Sequence, residues 1–231
     1  PSAVFPVSQL SRFQQQKHGW IQIESEVVPA TGKQLILRKQ AAGSPAGKVI
    51  LCGHMDTAYN TPGALDNAVG LFVTLAVLER LATVSLGFDL EIIPFNGEDY
   101  TEVSGERAYL AAHPVNAEEI SLVINIDDAG HKGSQNALSL YNIPVQWEKP
   151  IDDLIAADPL ICRGKEWYAS DHSMFAAHGV PCLVFASSDL MTETIRLTNT
   201  PQDTVDQVDF ALVDNMVDPI CRLMQQISIQ F

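Results

Sequence analysis

Four short apolar runs, residues 48–53, 89–95, 120–127 and 180–185, constrain this chain more than any other feature. Each has the length of a strand and none has the length of a helix. Helical spacing fills the gaps between them. Residues 65–81 are apolar almost all round, 105–113 stop at Pro114, and 171–178 stop at Gly179. Continuous apolar strands alternating with helices imply a sheet covered on both faces. The pattern predicts a three-layer α/β/α sandwich around a mixed, mainly parallel central sheet. Ahead of it, residues 20–28 alternate, Pro29-Ala30-Thr31-Gly32 reads as a turn, and 34–39 return, so an antiparallel edge hairpin is expected. A short helix capped by Ser8 is expected over 8–17. Phe210, Val213, Val217, Ile220, Met224 and Ile227 form a helical stripe that Pro219 should kink or split. With no repeat, low-complexity segment or linker, the 231 residues read as one domain, 1–231.

Composition removes several function classes. The formal net charge is −14, whereas phosphate binding needs a basic face, so nucleic acid is not expected as a partner. No apolar run approaches the roughly 18 residues that a membrane span requires. The four cysteines, Cys52, Cys162, Cys182 and Cys221, are widely spaced and form no C-x-x-C pair, which leaves the redox compartment open. The chain begins at Pro1 and holds no signal-like stretch, so the compartment stays unknown, an extracytoplasmic one included if a leader has been removed.

In open α/β sheets, sites form beyond the carboxyl ends of the strands. There this chain places His54-x-Asp56, then Glu98-Asp99, then Asp127-Asp128. Asp66 opens one helical segment, and Ser170-Asp171-His172 opens another. Taken singly, each has an ordinary reading as a loop pair, a cap or a solvated turn. Their joint placement points to a metal site. Imidazole and carboxylate without thiolate suit catalytic zinc. Two histidines and three carboxylates suit two ions if one carboxylate bridges them, and a surplus carboxylate can then serve as general base. In or beside residues 130–166 lie Tyr141, Trp147, Trp167 and Tyr168, read either as packing or as an apolar pocket, with Tyr168 a candidate donor to an oxyanion.

The phrases GHMDT (53–57), GALDNAVG (63–70), PFNGEDYTEVSGERAYL (94–110), INIDDAG (124–130), SDHSMFAAHGVPCLVF (170–185) and NTPQDT (199–204) run in the order of a known family. They resemble the co-catalytic zinc aminopeptidases of the bacterial leucyl aminopeptidase type, related to glutamate carboxypeptidase. The resemblance covers about the last three-quarters of the chain. It implies two Zn2+ ions, with Co2+ or Mn2+ as alternatives, and a peptide substrate with a free N-terminus. It assigns His54, Asp66 and Asp127 to one ion, and Asp66, Asp99 and His172 to the other. Glu98 takes the place of the general base, and Asp56 that of a hydrogen-bonding support for His54. The family's acid pair is often Glu-Glu, and Asp99 is one methylene shorter. Spacing alone leaves Asp127 and Asp128 as alternatives; the resemblance selects Asp127. A glutaminyl cyclase-like acyltransferase, a carboxypeptidase and a non-enzymatic binding domain are the other readings of such a sequence.

Overall fold

The computed structural model describes residues 22–27, 33–100 and 105–228. The predicted helix over 8–17 and the turn at 29–32 lie outside them. In chain order the elements begin with β1 (Gln22–Val27), β2 (Lys33–Lys39) and β3 (Lys48–His54). α1 (Val69–Leu81), β4 (Asp89–Phe95), α2 (Gly105–Ala112) and β5 (Ile120–Ile126) follow. Then come β6 (Asn136–Tyr141), α3 (Val145–Ala157), β7 (Ile161–Arg163), α4 (His172–Ala176), β8 (Cys182–Ser187) and α5 (Phe210–Ser228).

The eight strands form one sheet in the order β1-β2-β4-β3-β5-β8-β6-β7. The central four, β4, β3, β5 and β8, are parallel neighbours, and the first hairpin is antiparallel at one edge. β6 runs antiparallel to β8. Alternation along β3 divides the core. Val49 and Leu51 join Val73 and Val77 of α1 and Val213 and Ile220 of α5. Ile50 and Cys52 face the other way, toward Tyr109 of α2 and Phe175 of α4. The result is a three-layer α/β/α sandwich.

Three findings differ from the sequence reading. Residues 130–166 carry β6, α3 and β7, elements that the sequence reading did not assign. Tyr141, Trp147 and Trp167 are buried, whereas Tyr168 is exposed and its hydroxyl donates to Glu166. Secondly, α5 runs unbroken past Pro219, and Phe210 at its start is exposed. Thirdly, the regular helix starts at Val69, four residues later than expected. The four cysteines are free. No helix among the described residues is long and apolar enough to cross a membrane.

β3 leads through α1 to β4 on one side, while β5 lies on its other side. The chain therefore reverses direction across the sheet between β3 and β5. A crevice at such a reversal is where open α/β sheets bind ligands.

Candidate metal centre

β3 ends at this crevice with His54, which is fully buried. Its Nδ1 donates to the main-chain oxygen of Asp56 at 3.0 Å. That assignment leaves the lone pair on Nε2, the arrangement of a metal-ligating histidine. Nε2 lies 3.0 Å from Asp66 Oδ1 and 3.2 Å from Asp127 Oδ1. Asp127 follows β5 directly.

Asp66 reaches His54 because its backbone leaves the helical path. Gly63 turns the chain with φ 69°, where a Cβ would lie 2.0 Å from Thr57 Cγ2. Asp66 and Asn67 then take φ/ψ of −121°/81° and −141°/45°. Their peptide bond is cis. Asp203 holds this turn from behind: its carboxylate accepts the N–H groups of Leu65 and Asp66 at 2.7 and 3.1 Å. The Asn67 side chain donates to Ile126 O and accepts from Gly70 N, tying the turn to both β5 and α1.

Asp56 works differently from its predicted support of His54. Only its main-chain oxygen meets the ring; its carboxylate is 3.8 Å away. That carboxylate instead accepts the N–H groups of Gly97, Glu98 and Tyr100, at 2.8, 3.3 and 2.7 Å. It therefore fixes the turn that presents Glu98 and Asp99.

Two overlapping groups result. His54, Asp66 and Asp99 offer ligand atoms all within 4.8 Å of one another, and so do Asp66, Asp127 and Asp128. Asp66 belongs to both. His172 joins neither. Its Nε2 donates to Trp167 O at 2.8 Å, and its Nδ1 lies 3.3 Å from the Asn125 amide, which also donates to Ser170. The ring packs against Tyr141 and Trp167. Both nitrogens meet partners within the protein, so the structure does not bring His172 together with the other predicted ligands. It is linked to the cluster indirectly, since Ser170 Oγ donates to Asp127 Oδ2 at 2.6 Å.

The electrostatics show what the cluster lacks. Burial pushes Glu98 up to about 8 and Asp99 up to about 7, with the neighbouring carboxylates adding to the rise. Burial also raises Asp66 and Asp128, again reinforced by Asp127. Burial opposes the charged form of His54, but Asp127 and Asp66 outweigh it and hold its pKa well above the ordinary value. Asp99 Oδ2 and Asp128 Oδ1 are enclosed and meet no donor among the described residues. Converging buried carboxylates with orphaned oxygens are unfavourable without a counter-charge, and a divalent cation supplies it. The donors present fit such an ion.

Sequence reasoning missed the roles of Asp203, Asn67 and Asn125. Only Asp203 had a local signal, an acid among turn residues in NTPQDT.

A histidine–carboxylate cluster at the reversal point of an α/β/α sheet has the donor set and the placement of a catalytic metal centre. Residues 36–224 match Peptidase family M28, and the chain belongs to that family. It is 35% identical over 83 residues to "Endoplasmic reticulum metallopeptidase 1" of Homo sapiens, a match covering 36% of this chain and 9% of that protein. Among solved structures, it resembles a zinc aminopeptidase from Bacillus subtilis, with a TM-score of 0.68 and 20% identity over 84% of this chain and 49% of that one. It also resembles Porphyromonas gingivalis glutaminyl cyclase, with a TM-score of 0.70 and 18% identity over 95% of this chain and 88% of that one. The chain thus spans about half the length of the Bacillus enzyme and a small fraction of the human protein.

Proposed function

We propose that this domain is a metallo-exopeptidase, most specifically an aminopeptidase, with Glu98 as general base. The observation that carries the reading is the surplus of Glu98. It belongs to neither metal group, yet it lies within the field of His54, Asp127, Asp99 and Asp66, next in sequence to the donor Asp99. Asp56 holds its main chain in place.

Metal ions bound by the two groups would lower the pKa of water toward neutrality and polarise the scissile carbonyl. Glu98 accepts the proton of the attacking water at its carboxylate. The hydroxyl adds to the carbonyl carbon, the C–N bond breaks, and Glu98 returns the proton to the leaving amine. His54 keeps its Nε2 lone pair toward the cluster because Asp56 holds the proton on Nδ1. A peptide's free α-ammonium group complements the carboxylate-rich crevice, which favours cleavage at the N-terminus. Blocked amino and blocked carboxyl substrates distinguish this from a carboxypeptidase.

Glu98→Gln tests the base. Removing a general base typically costs about 10²–10⁴-fold in rate. The expected variant keeps its metal content, measured by elemental analysis, and loses turnover on aminoacyl-amides on that scale. Turnover near that of the parent would overturn the assignment.

The likeness to the glutaminyl cyclase supports a second reading, as an acyltransferase on peptides with N-terminal glutamine. Incubation with such a peptide separates the two: loss of ammonia with ring closure marks a cyclase, release of free glutamine an aminopeptidase.

A further inference from the structure

The turn that presents Glu98 contains the only Asn-Gly pair in the sequence, Asn96-Gly97. Glycine is required there: Gly97 has φ 105°, which residues bearing a side chain rarely adopt. The pair is chemically labile, because the unhindered glycine nitrogen can attack the asparagine side-chain amide. Three hydrogen bonds hold its main chain. Asn96 N–H donates to Oε1 of the buried Gln34 at 3.2 Å, and Asn96 O accepts the N–H of Glu106 at 3.0 Å. Gly97 N–H, on the nucleophilic nitrogen itself, donates to Asp56 Oδ1 at 2.8 Å. A carboxylate in that position opposes loss of the proton from nitrogen. The same carboxylate accepts the N–H groups of Glu98 and Tyr100, so one side chain holds the whole turn.

We propose that Asn96 is a spontaneous modification site, converted to aspartate or isoaspartate by deamidation, and that Asp56 guards it. In the reaction the Gly97 nitrogen gives up its proton and bonds to Asn96 Cγ, while the side-chain nitrogen leaves as ammonia and a cyclic imide closes. Water then opens the ring. Attack at Cγ leaves aspartate at 96. Attack at the main-chain carbonyl carbon leaves an isoaspartyl link, which lengthens the main chain by one methylene. Ring closure needs rotation about the Asn96 Cα–C bond, so the Gly97–Asp56 and Glu106–Asn96 hydrogen bonds must first open. The modification itself does not depend on the peptidase reading. Its consequence does: the isoaspartyl link would displace Glu98, two residues further on.

The test incubates the protein at mildly alkaline pH and follows the peptide containing Asn96 by mass spectrometry and isoaspartyl methyltransferase labelling. Folded parent should convert Asn96 about tenfold or more slowly than parent in denaturant, because conversion waits on local opening. Asp56→Ala, shown to be folded by circular dichroism, should close most of that gap. Asp56→Asn keeps the shape and one acceptor oxygen but loses the charge, and should convert about threefold or more faster than the parent; it decides the matter where Asp56→Ala fails to fold. Turnover of the parent on aminoacyl-amides should decline in step with conversion. Asn96→Gln, whose longer side chain cyclises far more slowly, should show no such decline over the same interval. Equal rates in folded and denatured parent overturn the proposal, as do Asp56 variants that convert no faster than the parent. Complete conversion to isoaspartate with undiminished turnover overturns the consequence for Glu98. An absence of turnover from the outset overturns the peptidase reading alone, since the mass readout still decides the modification.

Discussion

Asp66 Oδ1 lies 3.0 Å from His54 Nε2, and the same side chain belongs to both metal groups. Truncating it should therefore damage two positions at once. Asp66→Ala is expected to lose both metal equivalents in elemental analysis, whereas Asp99→Ala should spare the group containing Asp127 and Asp128. Retention of two ions in Asp66→Ala would refute the shared role. Asp56 makes a subtler prediction. Its carboxylate holds the Gly97–Tyr100 turn by three N–H groups rather than touching the chemistry. Asp56→Ala should lower kcat by about 10²-fold, the scale of a misplaced catalytic group, with a smaller change in metal content. If metal is lost before kcat falls, the clamp is not its main task. The same residues show how far a sequence can be read at this scale. His54, Asp66, Asp99 and Asp127 are brought together because strand ends and one helix start are visible as apolar patterning. His172 is not, because a strand-and-helix pattern does not say where a ring points. Here the ring packs against Tyr141 and Trp167, and its nitrogens meet Asn125 and the main-chain oxygen of Trp167.

The element that places the carboxylate shared by both groups is the short turn Ala64–Ala68 ahead of α1. It is non-helical at Asp66 and Asn67, yet its sequence continues the apolar helical pattern that follows, which is why the helix was expected to start at 65. Asn67 and Gly70 let the turn approach β5 closely. A Cβ at Gly70 would lie 2.2 Å from Asn67 Oδ1 and 2.4 Å from Ile126 O. The second of these is backbone and cannot swing aside. Gly70→Ala should therefore destabilise the fold by about 1–3 kcal/mol, the usual cost of overpacking, and displace Asp66 as well. Denaturant melts and metal titration together check this; an unchanged midpoint with full metal binding would refute it. The parallel strands β3, β4 and β5 were legible because burial on both faces leaves continuous apolar runs. β7 was not, since three residues are too few to show a period. α3 was obscured by Pro150 and by burying only Trp147 and Ile151.

Across the whole molecule, charge makes metal and pH interdependent. The chain carries a formal charge of −14, and part of that charge converges in one buried crevice. Without metal, burial raises Glu98 from 4.5 to about 8, Asp99 from 3.8 to about 7, and Asp203 from 3.8 to about 6. Each of these groups holds a proton in the folded state at pH values where the unfolded chain has lost it. Their stabilising contribution is complete below the unfolded values and is lost as pH rises through the folded ones. His54, also raised, acts in the same direction. His172 is lowered by burial and opposes them, but it is a single group whose contribution ends near its unfolded value of 6.5. Metal-free protein should accordingly lose thermal stability between about pH 5 and pH 8. Metal replaces those protons, because the carboxylates must be ionised to bind it. The Tm difference between metal-loaded and chelator-treated protein should therefore widen steadily over that range. Glu98→Gln separates the cluster from general surface repulsion. It removes the carboxyl group raised highest of these three, so its metal-free form should show a shallower fall of Tm toward pH 8 than the parent. A gap that stays constant with pH, or a Glu98→Gln slope equal to the parent's, would place the pH dependence elsewhere in the molecule.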